Sequence, residues 1–200
     1  GMEDQKLKVG PIGALPATGP LGLKVAYMAF VLAGKEVPVI WRGPLKMRAI
    51  QQFLTEVIWG ELDFLLIDLP PGTGDEPLSV LKLLPDMDGV VIVTIPSEVS
   101  QTVVGKSITF SRQLNVPVIG IVENMSTFVC PHCGEKTDIF DSGGGKTISA
   151  RTSVELLGQI PLDPKVRADG DRGLPILESD KDSPVSKAFL DVADKIQVRY

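Results

Sequence analysis

The sequence predicts an α/β domain: a mostly parallel sheet flanked by helices. Two observations carry this. Three short apolar runs rich in Val and Ile, at residues 62–69, 89–95 and 116–122, suit strands buried on both faces. Segments with helical spacing lie between them and after them, and such alternation builds a layered sheet with right-handed crossovers.

The elements follow in order. Gly1-Met2 reads as a tag remnant, and residues 1–22, polar and then rich in Gly and Pro, read as an irregular lead-in. Residues 23–200 are expected to form a single domain. Residues 23–30 are a short strand candidate. Residues 45–59 place Leu45, Ala49, Phe53 and Val57 along one side of a helix. The strand at 62–69 precedes a short helix at 77–84. The strand at 89–95 leads to a helix at 99–114, whose Val103, Val104, Ser107, Ile108, Ser111 and Leu114 share a face. Beyond the strand at 116–122 lies a cysteine loop near 126–140. A helix at 147–157, a short strand at 157–161 and an amphipathic helix at 183–198 complete the chain. Ser183 is placed to cap that last helix, with Pro184 at its first position.

Composition narrows the function. A net charge of −5 argues against a nucleic-acid footprint, which needs a basic face. No apolar run approaches the roughly 18 residues of a membrane span, and no charged segment precedes an apolar leader. The expectation is a cytoplasmic protein with no membrane and no nucleic-acid partner. Two cysteines three positions apart read as metal-binding or redox in a reducing compartment.

Cys130-Pro131-His132-Cys133-Gly134 spaces two thiolates to chelate one centre from a tight turn. A thioredoxin-like pair should open a helix directly after a strand. Here Ser126 to Val129 intervene, and polar residues follow. A knuckle on a loop fits better, with free unligated cysteines as the remaining alternative. A closed zinc or four-iron site wants about four protein ligands. His132 lies between the thiols and is expected to point away. A second copy of the chain related by a two-fold axis supplies the missing pair.

Other motifs sit at strand ends. Asp68 closes an apolar run and precedes Pro70-Pro71-Gly72-Thr73-Gly74. An aspartate at that place binds ligands in α/β sheets, and in phosphate-loop proteins it holds Mg²⁺. Asn124 ends the 116–122 strand, where a carboxamide can meet a purine edge. Ile160-Pro161-Leu162-Asp163 could approach the same base. Ser142-Gly143-Gly144-Gly145-Lys146-Thr147 invites a phosphate-loop assignment, but Phe140 stands where the motif needs glycine. It reads instead as a glycine loop feeding a helix.

Together these residues resemble the Mrp-type branch of the MinD/ParA-like P-loop NTPases, the iron–sulfur cluster carriers. The stretches involved are Val39-Ile40-Trp41-Arg42-Gly43-Pro44, Ile67 to Asp75, Val122 to Gly134, the glycines at 143–145, and Ile160 to Gly173. The resemblance implies a homodimer, ATP or ADP with Mg²⁺ at the interface, and a [4Fe–4S] cluster bridging the two cysteine loops. It assigns Asp68 to Mg²⁺, Gly72 to the phosphate side, Asn124, Pro161 and Asp163 to the adenine side, and Cys130 and Cys133 to the cluster. The expected fold lacks the family's N-terminal strand and P-loop, because the 200 residues contain no Gly-Lys-Gly-Gly-Val-Gly-Lys-Ser/Thr. Little ATP hydrolysis by these residues alone is therefore expected. Three functions stand side by side: a carrier passing clusters to apo-proteins, an ATPase whose phosphate loop comes from elsewhere, and a structural dimer bridged by zinc.

Overall fold

The structure is a computed structural model that describes residues 2, 5–31, 43–130 and 132–200. The chain forms two compact units, Gly1–Leu84 and Pro85–Tyr200. The motif stretch at 39–42 and Pro131 lie outside the described residues.

In the first unit the lead-in is more ordered than its composition suggests. Strands β1 (Lys8–Gly10) and β2 (Gly13–Leu15) pair antiparallel, as do β3 (Ala17–Thr18) and β4 (Lys24–Val25). Only Lys24 and Val25 of the strand expected over 23–30 are extended; Met28–Val31 is a 3₁₀ turn. Helix α1 (Gly43–Thr55) buries Ala49. Helix α2 (Asp75–Leu83) buries Val80 and Leu81 and starts on acidic residues, which suit the positive end of its dipole. Lys46 of α1 and Glu76 of α2 join the helices through a 2.5 Å ion pair. The hydrogen bond from Lys46 holds the Glu76 carboxyl below the usual carboxylate range.

The strand expected at 62–69 is not formed. Those residues are irregular, Leu66 is 88% exposed, and none makes a backbone hydrogen bond among the described residues. An apolar run becomes a buried strand only when neighbouring strands take up its N–H and C=O groups. No described strand pairs with it.

The second unit holds the parallel sheet. Strands β5 (Val90–Thr94) and β6 (Val118–Glu123) are joined by helix α3 (Glu98–Gln113). A small antiparallel hairpin follows, β7 (Phe128–Val129) with β8 (Lys136–Thr137). Helix α4 (Gly144–Thr152) leads to β9 (Leu156–Gln159). This helix starts three residues before its expected position and stops at Thr152, so the glycine loop is its first turn. Helices α5 (Pro164–Asp171), α6 (Ile176–Ser179) and α7 (Pro184–Gln197) close the unit. The sheet order is β5-β6-β9, with both pairs parallel.

Helices pack on both faces of β6 and β9, whereas Val91 and Val93 of β5 stay exposed on one side, so the 89–95 run is not buried on both faces as expected. On one face, Ile121 packs with Val104 and Ile108 of α3, Ile148 of α4 and Val154. On the other, Val122 and Leu157 pack with Ile160, Ile176, Val185 and Val192. Successive residues Ile121 and Val122 point to opposite faces, as the two-residue strand repeat requires. Ser183 caps α7 by accepting the Ser186 N–H at 3.1 Å, with Pro184 at the first turn, as the sequence predicted. Among the described residues, no helix is long and apolar enough to cross a membrane.

Candidate functional site

The carboxyl end of the parallel sheet in the second unit gathers most of the expected site residues. Strand β6 ends at Glu123, and Asn124 donates its backbone N–H to Thr94 O at 2.7 Å across the β5 end. The chain then turns sharply at Met125, whose φ is +54°. The Asn124 Oδ1 accepts the Met125 N–H at 2.9 Å. Its side-chain NH₂ has no partner among the described residues and remains available to donate. A half-buried carboxamide at a sheet's carboxyl end is chemically suited to a purine edge.

The stretch after β9 lies beside it. Ser126 donates from N and Oγ to Ile160 O at 3.0 and 3.1 Å, and Leu162 N donates to Thr127 O at 2.9 Å. Phe128 and Leu162 form a further parallel bridge. Pro161 and Asp163 are therefore held next to the start of the cysteine hairpin. Asp163 has a structural task as well: it caps α5, its Oδ1 accepting the Lys165 N–H at 2.8 Å, with Pro164 at the first helical position. The sequence reading gave this carboxylate to a base, yet an Asp before Pro at a helix start is also a capping signal.

The cysteines stand at the tip of the β7–β8 hairpin. Cys130 N donates to Glu135 O, and Gly134 N donates back to Cys130 O, both at 2.9 Å. Gly134 has a φ of +72°, the left-handed conformation that lets the chain reverse. Below the tip, Thr127 Oγ1 donates to Asp138 Oδ1 at 2.9 Å. Cys130 is half-buried and Cys133 exposed, and both are free thiols. This is the loop knuckle expected from the spacing, since no helix opens at Cys130. The backbone N–H of Cys133, and then that of His132, aim at the Cys130 sulfur and hold its thiol below the ordinary cysteine value. The Cys133 thiol adds to the same effect. A thiolate stabilised by turn amides is the form that binds soft metals. Among the described residues, no cluster of three or more His, Cys, Asp or Glu could hold a metal ion.

The glycine loop serves packing. Gly143 caps α4 in the left-handed region, with a φ of +74°. A Cβ on Gly144 would lie 2.2 Å from Pro96 O, and one on Gly145 would lie 3.0 Å from Glu123 Cβ and Oε2. The Gly145 N–H is donated to the Glu123 carboxylate. The start of α4 thus already gives one of its N–H groups to a side chain of its own chain, in keeping with a glycine loop that feeds a helix. Glu123 is the residue the sequence reading missed. Its signal was a charged residue closing a run of buried strand positions.

Asp68 and Gly72 belong to the first unit. Asp68 is exposed in the irregular segment that replaces the expected strand. Gly72 has a φ of +94° in the turn that leads into α2, as a constrained Pro-Pro-Gly-Thr-Gly loop requires.

Comparison with known proteins agrees with the residue reading. The profile of the NUBPL iron-transfer P-loop NTPases matches residues 1–197. An iron–sulfur cluster carrier protein from Saccharolobus solfataricus is 50% identical over 196 residues, 98% of this chain and 66% of its own length. The cytosolic Fe-S cluster assembly factor CFD1 of Saccharomyces cerevisiae is 47% identical over 82% of this chain and 58% of its own. The chain spans about two thirds or less of the length of these curated relatives. Among solved structures, a nucleotide-binding protein from Archaeoglobus fulgidus in complex with ADP superimposes with a TM-score of 0.75. It is 38% identical, over 94% of this chain and 71% of that one. The cell division ATPase MinD of Pyrococcus furiosus, 23% identical with a TM-score of 0.58 over 78% of this chain and 59% of that one, shares the fold. The α/β chain described here belongs to the NUBPL-type iron-transfer P-loop NTPase family.

Proposed function

We propose that the protein is a cytoplasmic iron–sulfur cluster carrier. Its cargo is a [4Fe–4S] cluster held between Cys130 and Cys133 of one copy and the same pair of a second copy. One observation carries the reading: two free thiols share a solvent-accessible hairpin tip, where the backbone N–H groups of Cys133 and His132 hold the Cys130 thiol below its ordinary value. Two ligands per copy leave a four-ligand cargo site half complete. A site closed by two copies opens when they separate, which suits delivery to apo iron–sulfur proteins. The names of the Saccharolobus and yeast relatives support the same assignment.

On this reading a nucleotide biases the separation. Asn124, Pro161 and Asp163 lie on its base side, where the Asn124 NH₂ is free to donate. The family resemblance assigns Asp68 to Mg²⁺ and Gly72 to phosphate. The ADP complex of the Archaeoglobus relative supports nucleotide binding in this family.

Transfer is the test. The protein is reconstituted anaerobically with iron and sulfide and mixed with an apo-protein whose activity needs a four-iron cluster. Recovery of acceptor activity, faster than with iron and sulfide alone, is expected. Acceptor activation that is no faster, or that survives Cys130→Ser with Cys133→Ser, contradicts the reading.

A further inference from the structure

Both ends of the cysteine loop meet one buried side chain. Glu123 ends β6, and Gly145 lies in the first turn of α4. All of the intervening chain, hairpin and cysteines included, leaves the sheet at the first residue and returns at the second. Glu123 is 0% exposed. Its Oε2 accepts the Gly145 backbone N–H, and its Oε1 accepts from Gln159 Nε2 at 2.5 Å. Its backbone O accepts the Ile160 N–H at 2.8 Å.

The chemistry of the position is selective. A carboxylate without water is costly unless donors replace the water. Here two donors do so, and the positive end of the α4 dipole adds to them. The neighbouring strand residues Ile121 and Val122 are buried and apolar, so an aliphatic side chain would serve packing alone. An aliphatic side chain could not hold an amide of α4 and an amide of β9 at once. Gly145 sits close against this side chain: a Cβ there would meet Glu123 at 3.0 Å.

We infer that Glu123 is a positioning residue for the cysteine loop: its carboxylate clamps the departing strand, the returning helix and the end of β9, and so fixes where Cys130 and Cys133 are presented. The cluster half of this inference rests on the carrier reading; the clamp itself does not.

The test compares three variants with the parent protein. Glu123→Ala removes the clamp. Glu123→Gln keeps its shape, its oxygen accepting from Gly145 and its NH₂ facing a turned Gln159 amide. Val185→Ala weakens the core on the α7 side without touching the loop. Hydrogen exchange on the metal-free protein reads Gly145 and residues 126–140. Glu123→Ala should speed that exchange about tenfold or more, the scale of a lost hydrogen bond to a charged group. Glu123→Gln should recover most of the protection, and Val185→Ala should leave the hairpin unchanged relative to the rest of the unit. Loss of cluster to a chelator should be about ten- to hundredfold faster in Glu123→Ala, as for other residues that orient metal ligands. Exchange within about twofold of the parent, or an equal hairpin effect from Val185→Ala, overturns the clamp. If the parent takes up no cluster, the carrier reading fails and exchange still decides the clamp. If Glu123→Ala does not fold, Gln159→Met breaks one of the two bonds at nearly constant volume. Unchanged hairpin exchange in that variant also overturns the inference.

Discussion

Substituting alanine at each of three consecutive glycines should separate packing from phosphate binding at the start of α4. At Gly143 a Cβ meets nothing within 4 Å, but the residue has a φ of +74°. The cost there is conformational, about 1 kcal/mol. At Gly144 the new Cβ would lie 2.2 Å from Pro96 O and 2.7 Å from Pro96 C, both backbone atoms. Carbon contacts settle at about 3.5–4.0 Å, so helix and loop must part by about 1 Å. That is overpacking at its upper end, about 3 kcal/mol or more. At Gly145 the contacts are 3.0 Å, to Glu123 and Leu156. A shift of a few tenths of an ångström relieves them, and alanine returns about 1 kcal/mol of helix propensity, so the net loss should be about 1 kcal/mol. For a chain of this size each kcal/mol is worth about 2–4 °C. Gly144→Ala should therefore melt about 6–12 °C lower, and the other two only a few degrees lower. Circular dichroism melts of the purified variants read the order. Gly144→Ala as mild as Gly143→Ala would refute the packing argument.

Three further outcomes follow from the second unit. Leu157, fully buried between the sheet and α7, should cost about 2–5 kcal/mol as Leu157→Ala, measured by denaturant unfolding. Asp169 is buried, and the Ser179 hydroxyl, against desolvation and with help from Arg172, holds its carboxyl below the usual range. Its folded value is depressed, so its contribution is complete above the ordinary carboxylate value and disappears as pH falls through the lowered one. Asp169→Asn should flatten the acid side of a stability-versus-pH curve; an unchanged slope there contradicts this. Cys133→Ser alone should abolish stable cluster uptake, because two copies of the variant offer only two thiolates to a four-ligand site; a visible absorbance equal to the parent's would contradict it.

How much was legible depended on how local each signal was. The β5, β6 and β9 strands and α3 and α7 were readable because each carries its own periodicity, cap or bounding turn. Cys130 and Cys133 were readable because their spacing is local, and the residues around them argued against a redox helix. Residues 62–69 look like a strand by the same criteria, yet strand formation depends on partners far along the chain, which no single window records. The N-terminal hairpins were missed because two- and three-residue strands are too short to show alternation. Glu123 was missed because its partners, Gly145 and Gln159, lie 22 and 36 residues away. At Asp163 a local capping signal was also present, and the structure shows that cap formed.

The cargo cluster proposed here is shared by two copies through Cys130 and Cys133. Native mass spectrometry of the anaerobically reconstituted chain tests it most directly. The expected species is two chains plus one Fe₄S₄, lost together with its cluster in the Cys130→Ser, Cys133→Ser variant. A single chain carrying the whole cluster, or a dimer holding one zinc and refusing iron, would contradict it.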